Sequence, residues 1–110
     1  MTKYRIKIIA KAKAQVKSAA KYIKEELHAP LSAKSLTNDI KKAIASLKTM
    51  PERIPPVRFE PWRSRGFRCM TVRNYLIYFW IDEAARQVNV IAVIYGKRDQ
   101  MAQLETVIEN

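Results

Sequence analysis

The apolar residues of this chain change period twice, from two to about 3.6 and back to two, and that succession limits the folds open to it. Tyr4, Ile6 and Ile8 alternate with Arg5 and Lys7 across Tyr4 to Ile9, the pattern of a half-buried strand. From Ala12 the spacing lengthens. Ala12, Val16, Ala19, Ala20, Ile23 and Leu27 form one stripe of a helix, and Lys13, Lys17, Lys21 and Lys24 take much of the opposite face. His28, Ala29 and Pro30 interrupt that helix, and Leu36, Ile40, Ala43, Ile44 and Leu47 set up a second one that ends near Met50 and Pro51. Residues 51 to 66 contain Pro51, Pro55, Pro56 and Pro61 with little periodicity, so they read as an irregular connection without a helix. Phe67 to Val72 is then a short strand, Arg73 and Asn74 a tight turn, and Tyr75 to Ile81 an apolar run suited to a central strand. Asp82 to Arg86 turns the chain again. Val88, Val90, Ala92 and Ile94 alternate with Asn89, Ile91, Val93 and Tyr95 in a last strand, which Gly96 stops. Asp99 can cap a short closing helix with Met101, Leu104 and Ile108 on one side.

The order β, α, α, β, β, β, α predicts an α+β domain. A mainly antiparallel four-stranded sheet should pack one face on a helical hairpin spanning about 11 to 50, because neither element can bury its apolar stripe alone. Phe67, Cys69 and Ile77 are expected to join that core. The other sheet face is expected to stay open beside the loop from Arg53 to Arg65, as a shallow surface lined by Arg, Lys and Tyr. With 110 residues, 48% of them hydrophobic, residues 1–110 read as a single domain with one core. No apolar run approaches the ~18 residues of a membrane span, and no cleavable apolar leader is visible. A single cysteine, Cys69, excludes an internal disulfide and multi-cysteine zinc sites and fits a reducing cytoplasm.

Charge is the strongest functional signal. Lys and Arg total 21 against 10 Asp and Glu, a net charge of +11, which points to acidic partners or nucleic acid. Lysines dominate the first 50 residues, as a solvated helix face would, whereas seven of the nine arginines lie between Arg53 and Arg86. Clustered guanidinium forks more often meet phosphate or carboxylate. Glycine-rich phosphate loops are missing, since glycine occurs only at Gly66 and Gly96. His28 is the only histidine, so no metal centre or nucleophile–histidine pair is expected. No cofactor is expected either.

Two constellations remain. Arg63, Arg65, Arg68 and Arg73, interleaved with Trp62, Phe67 and Tyr75, suit a phosphate-binding patch with faces for bases to stack on. The competing reading puts the aromatics in the core and leaves the arginines to solubilise the sheet edge. Arg65, Gly66 and Phe67 also begin like an RRM signature, but Arg68, Cys69 and Met70 break it. The second constellation is Tyr95, Gly96, Lys97, Arg98 and Asp99, placed where the last strand leaves the sheet. Gly96 and Asp99 alone would also make an ordinary strand-to-helix turn.

Taken together, the Tyr4-to-Ile8 strand, Tyr22-Ile23, Pro30, the Ile40-to-Leu47 stripe with Pro51, Phe67-Arg68 through Val72, Asn74-Tyr75 with Ile77, and Tyr95-Gly96-Lys97-Arg98-Asp99 resemble the RelE/ParE superfamily of bacterial toxins. The likeness extends over nearly the whole chain. It implies a β-αα-βββ fold, growth inhibition, an acidic antitoxin that silences the toxin, and operator DNA reached only through that antitoxin. It also implies one of two targets: mRNA in the ribosome, which RelE-like members cleave, or DNA gyrase, which ParE-like members inhibit. The cleaving branch is expected to need two basic residues on the first meander strand, an arginine on the next, an arginine after the last strand and a tail tyrosine. Arg68 and Arg98 match two of these, while Met70 or Thr71, Leu76 and Leu104 stand at the other three. Tyr75, Tyr78 or Tyr95 would have to substitute in proton transfer. The ParE-like reading therefore leads, with Arg63, Arg65, Arg68, Arg73, Lys97 and Arg98 as the target-binding set and a plain nucleic-acid-binding module as a third possibility.

Overall fold

The computed structural model describes residues 3–96. Its elements run β1 (Arg5–Ile8), α1 (Ala10–Glu25), α2 (Pro30–Ser46), a one-turn 3₁₀ helix (Pro51–Arg53), β2 (Arg68–Val72), β3 (Tyr75–Asp82) and β4 (Gln87–Tyr95). The expected closing helix lies outside the described residues. The strands order β1-β4-β3-β2, with β1 parallel to β4 and the other pairs antiparallel. β3 and β4 are thus interior, as the aromatic run from Tyr75 predicts.

α1 ends two residues before its apolar stripe does. Leu27 and Ala29 donate to the carbonyls of Tyr22 and Ile23, and His28 takes a left-handed φ of 51°. Leu27 consequently lies in the turn, 56% exposed, and not in the core expected of it. Pro30 opens α2 at its first position, where the ring presets φ and no N–H is needed. The second helix meets the expectation more closely, since Leu36, Ile40, Ile44 and Leu47 are all buried. These side chains and Ala12 pack on Ile77, Phe79, Val88, Val90 and Val93 to form the main core.

The sheet's other face departs from expectation. Residues 55 to 67 fold back over it, so Val57, Trp62 and Phe67 cover Tyr78, Ile91, Ala92 and Ile94 in a second core. An open concave surface is therefore not present on that face. Val57 N–H donates to the Phe67 carbonyl at 2.9 Å and Phe67 N–H to the Trp62 carbonyl at 3.1 Å, which staples the covering segment into a closed loop. Proline content hid this because irregular backbone carries no period to read.

A bulge also changes the phase of β4. Tyr78 pairs with Ala92 and Phe79 with Val90, leaving Ile91 as an extra residue. Before the bulge, Val88 and Val90 face the helices; after it, Ala92 and Ile94 face the covering loop, and Val93 returns to the helices. The strict alternation expected across Val88 to Tyr95 is broken at that point. β1 pairs with β4 only as far as Val90, and past that point Gln15 of α1 accepts from the Val93 N–H at 2.7 Å. A side chain thus serves a strand edge that would otherwise lose its partner.

Candidate functional site

The arginine-rich segment reaches two different sides of the sheet. Arg68 stands opposite Phe79 on β3 and so shares its helix-facing side. Its guanidinium donates to the carbonyls of Ile54 and Glu52, tying β2 to the 3₁₀ turn and the residue that follows it. Arg73 occupies the first position of the β2–β3 turn with φ 54°. It reaches α2, donating to Ser35 Oγ at 2.7 Å and pairing with Asp39 at 2.7 Å. Both arginines therefore have intramolecular work, and each remains partly accessible.

Arg63 and Arg65 lie on the turn-rich part of the covering loop, exposed, with no ion pair among the described residues. Their backbones are held: Arg63 N–H donates to the Phe59 carbonyl at 3.0 Å and Arg65 N–H to the Trp62 carbonyl at 3.2 Å. Glu60 accepts from the Ser64 N–H and hydroxyl, which fixes the same turn. Arg58 is exposed beside them and forms no ion pair among the described residues. This loop presents permanently charged forks on a braced backbone, an arrangement suited to carboxylate or phosphate.

Two of the patch's three aromatics, Trp62 and Phe67, are not available for stacking on bases. Trp62 is 3% and Phe67 7% exposed, and their rings stack on each other at 5.8 Å and 8°. For these two residues the core-filling reading holds. Tyr78 is equally enclosed, with its hydroxyl against the Cys69 thiol. Burial pushes the Tyr78 phenol well above its ordinary value, and burial likewise raises Cys69 to about 11. A phenol so placed is a poor proton carrier near neutral pH. Tyr75 and Tyr95 are half-buried cross-strand partners, ring centroids 5.4 Å apart and tilted 55°. Gly96 N–H donates to the Asn74 carbonyl at 2.7 Å beside them, so close that a Cβ on Gly96 would lie 3.2 Å from that oxygen. Lys97 and Arg98 lie outside the described residues.

Of the residues standing at the cleaving branch's expected positions, Met70 and Leu76 are used in packing, Thr71 is exposed, and Leu104 lies outside the described residues. Met70 packs on the main core and Leu76 on the second one. Sequence reasoning missed Arg53, whose guanidinium donates to the carbonyls of Ser46, Thr49 and Met50 at the end of α2. A basic residue just past a helix C-terminus was the available signal for that cap. Among the described residues no group of three or more His, Cys, Asp or Glu is placed to hold a metal.

Comparison with known proteins bears on the fold and the family. A solved structure of a chromosomal ParDE toxin–antitoxin system from P. aeruginosa shares the fold at TM-score 0.69 and 17% identity, covering 84% of this chain and 95% of that one. The RelBE2 toxin–antitoxin complex from Mycobacterium tuberculosis follows at TM-score 0.60 and 18% identity, over 86% and 93%. No curated protein matches by sequence. The family model for the ParE toxin of the type II toxin–antitoxin system parDE matches residues 6–100, and the chain belongs to that family.

Proposed function

We propose that this chain arrests growth by acting on DNA gyrase in the cytoplasm and is held silent by a cognate acidic antitoxin. The observation that carries the choice of target is the packing of Met70 and Leu76 into the two cores and of the Tyr78 phenol into the second; Thr71, the other residue at the Met70 position, is exposed but has no group that titrates near neutral pH. Inhibition of gyrase asks for binding only. Arg58, Arg63 and Arg65 on the covering loop supply exposed guanidinium groups for an acidic or phosphate-bearing surface, with Arg68, Arg73, Lys97 and Arg98 completing the proposed set. The antitoxin reading is supported by the toxin–antitoxin complexes that share the fold and by the +11 charge, which would speed association with an acidic chain. The outer edge of β2 carries only the single bridge to Pro56 among the described residues, so a strand of that partner could add there.

The test is a supercoiling assay with purified gyrase beside primer-extension mapping of mRNA in a translation extract. Loss of supercoiling or accumulation of cleaved DNA, with uncut mRNA, is expected. Codon-positioned mRNA cuts that vanish in Arg98→Ala would overturn the gyrase reading in favour of the ribosome-dependent nuclease.

A further inference from the structure

On the helical layer, across the sheet from Arg63 and Arg65, α1 and α2 flank an open groove of about 580 Å³. Lys21 and Lys24 border it from α1, Lys34 and Lys41 from α2, with Asn38 between them and Glu25 as its one acid. All four lysines are exposed, and none forms an ion pair among the described residues. Four like charges along one groove repel each other in the free protein, a cost that an anionic ligand would relieve.

We propose that this groove binds the phosphodiester backbone of duplex DNA, independently of sequence. Three features select that occupant. The uncharged lining is Ala20, Pro30, Ala33, Thr37 and Asn38, with none of the large apolar side chains that grip a protein partner's anchor, and lysine is depleted at protein–protein interfaces. No aromatic side chain lines the groove, so the stacking platform required for single strands is missing. Lysine, a compact charge with freely turning donors, suits a row of phosphates whose identity does not matter. Scale agrees as well. Lys34 and Lys41 are separated by about 10 Å along α2, the axial length of about three phosphates of one strand. Two helices side by side are about 20 Å across, too broad for the ~12 Å major groove, so the hairpin lies over the backbone and reads no bases. The chain thereby has a DNA contact of its own, in addition to any operator contact made through an antitoxin, and the inference does not depend on gyrase being the target.

The experiment is fluorescence anisotropy of the full chain with a labelled mixed-sequence duplex across a salt series. The groove variant K21Q/K24Q/K34Q/K41Q is compared with K3Q/K7Q/K13Q/K48Q, which removes the same charge elsewhere, and with the four groove lysines changed to Arg. Circular dichroism and melting establish that all three fold. In the groove variant the slope of log K against log salt should fall by about 3 to 4 and affinity by at least about tenfold, while the other two stay within about one unit of the parent slope. Equal losses in both glutamine variants would overturn the site in favour of diffuse charge. So would a single strand of equal phosphate count bound as tightly as the duplex, or poly-glutamate bound more tightly than DNA and released by the groove substitutions, which would make the surface a protein dock.

Discussion

Arg73 shows how one residue can satisfy a local strain and a long-range contact together. A left-handed φ is uncommon for a side chain of this size, and the Asp39 pair and Ser35 bond hold the turn against α2. Both partners of the pair have 43% of the side chain exposed, so Arg73→Ala should cost no more than about 1 kcal/mol, and a double-mutant cycle with Asp39→Ala should return a coupling of about 0.2–1 kcal/mol. Arg63→Ala and Arg65→Ala should leave the melting temperature unchanged and weaken growth arrest, because their exposed side chains form no ion pair among the described residues. Unchanged toxicity in both would remove the covering loop from the target-binding set. Inside the main core the scale is larger. Phe79 is fully buried, and Phe79→Ala should cost about 3–5 kcal/mol by chemical denaturation.

The covering segment from 55 to 67 behaves as an element although it has no regular secondary structure. Trp62 is its anchor. Replacing Trp62 with Ala should detach the loop from the sheet and expose Cys69, so that the thiol reacts quickly with a disulfide reagent at pH 8; the parent thiol, raised to about 11, should react slowly there. The same burial predicts a pH dependence. The folded thiol holds its proton to higher pH than the ordinary value of 9.0, so the unfolded chain binds fewer protons between 9.0 and about 11. Stability from this group is therefore complete below pH 9 and is lost as pH rises towards 11. The raised Tyr78 phenol acts in the same direction at still higher pH. Melting curves from pH 8 to 11 should fall, and Cys69→Ala should flatten the part of that fall that begins near 9. A parent protein whose melting temperature is constant to pH 11 would contradict the burial of both groups.

For the whole molecule, net charge governs encounter more than fold. Association with the proposed acidic antitoxin should slow as ionic strength rises, since a +11 surface attracts an acidic chain over a Debye length of about 10 Å at 0.1 M salt. Stopped-flow mixing across a salt series checks this; a rate constant indifferent to salt would mean that charge does not steer the complex. The two cores are bonded through one sheet, so Ile77 and Tyr78, adjacent on β3, anchor opposite faces. Substitutions on either face should lower the same unfolding transition.

The two helices, the meander and the central place of Tyr75 to Ile81 were legible in the sequence because each is written in a period that local geometry imposes, 3.6 for a helix and two for a strand. The basic character of the surface was equally plain, since charge is additive and needs no fold. Other features were not legible. Trp62 and Phe67 could stack on bases or fill a core, and only the return of residues 55 to 67 across the sheet decided for the core. The bulge at Ile91 reversed the faces of Ala92 and Ile94 through a single extra residue that leaves no mark on composition. Lys21 and Lys24, which read as part of an ordinary solvated face, joined Lys34 and Lys41 on the rim of one groove when α2 was laid beside α1. Each of these depends on which distant segment lies alongside, and a chain's local periodicities carry no information about that neighbour until the packing of the whole has selected it.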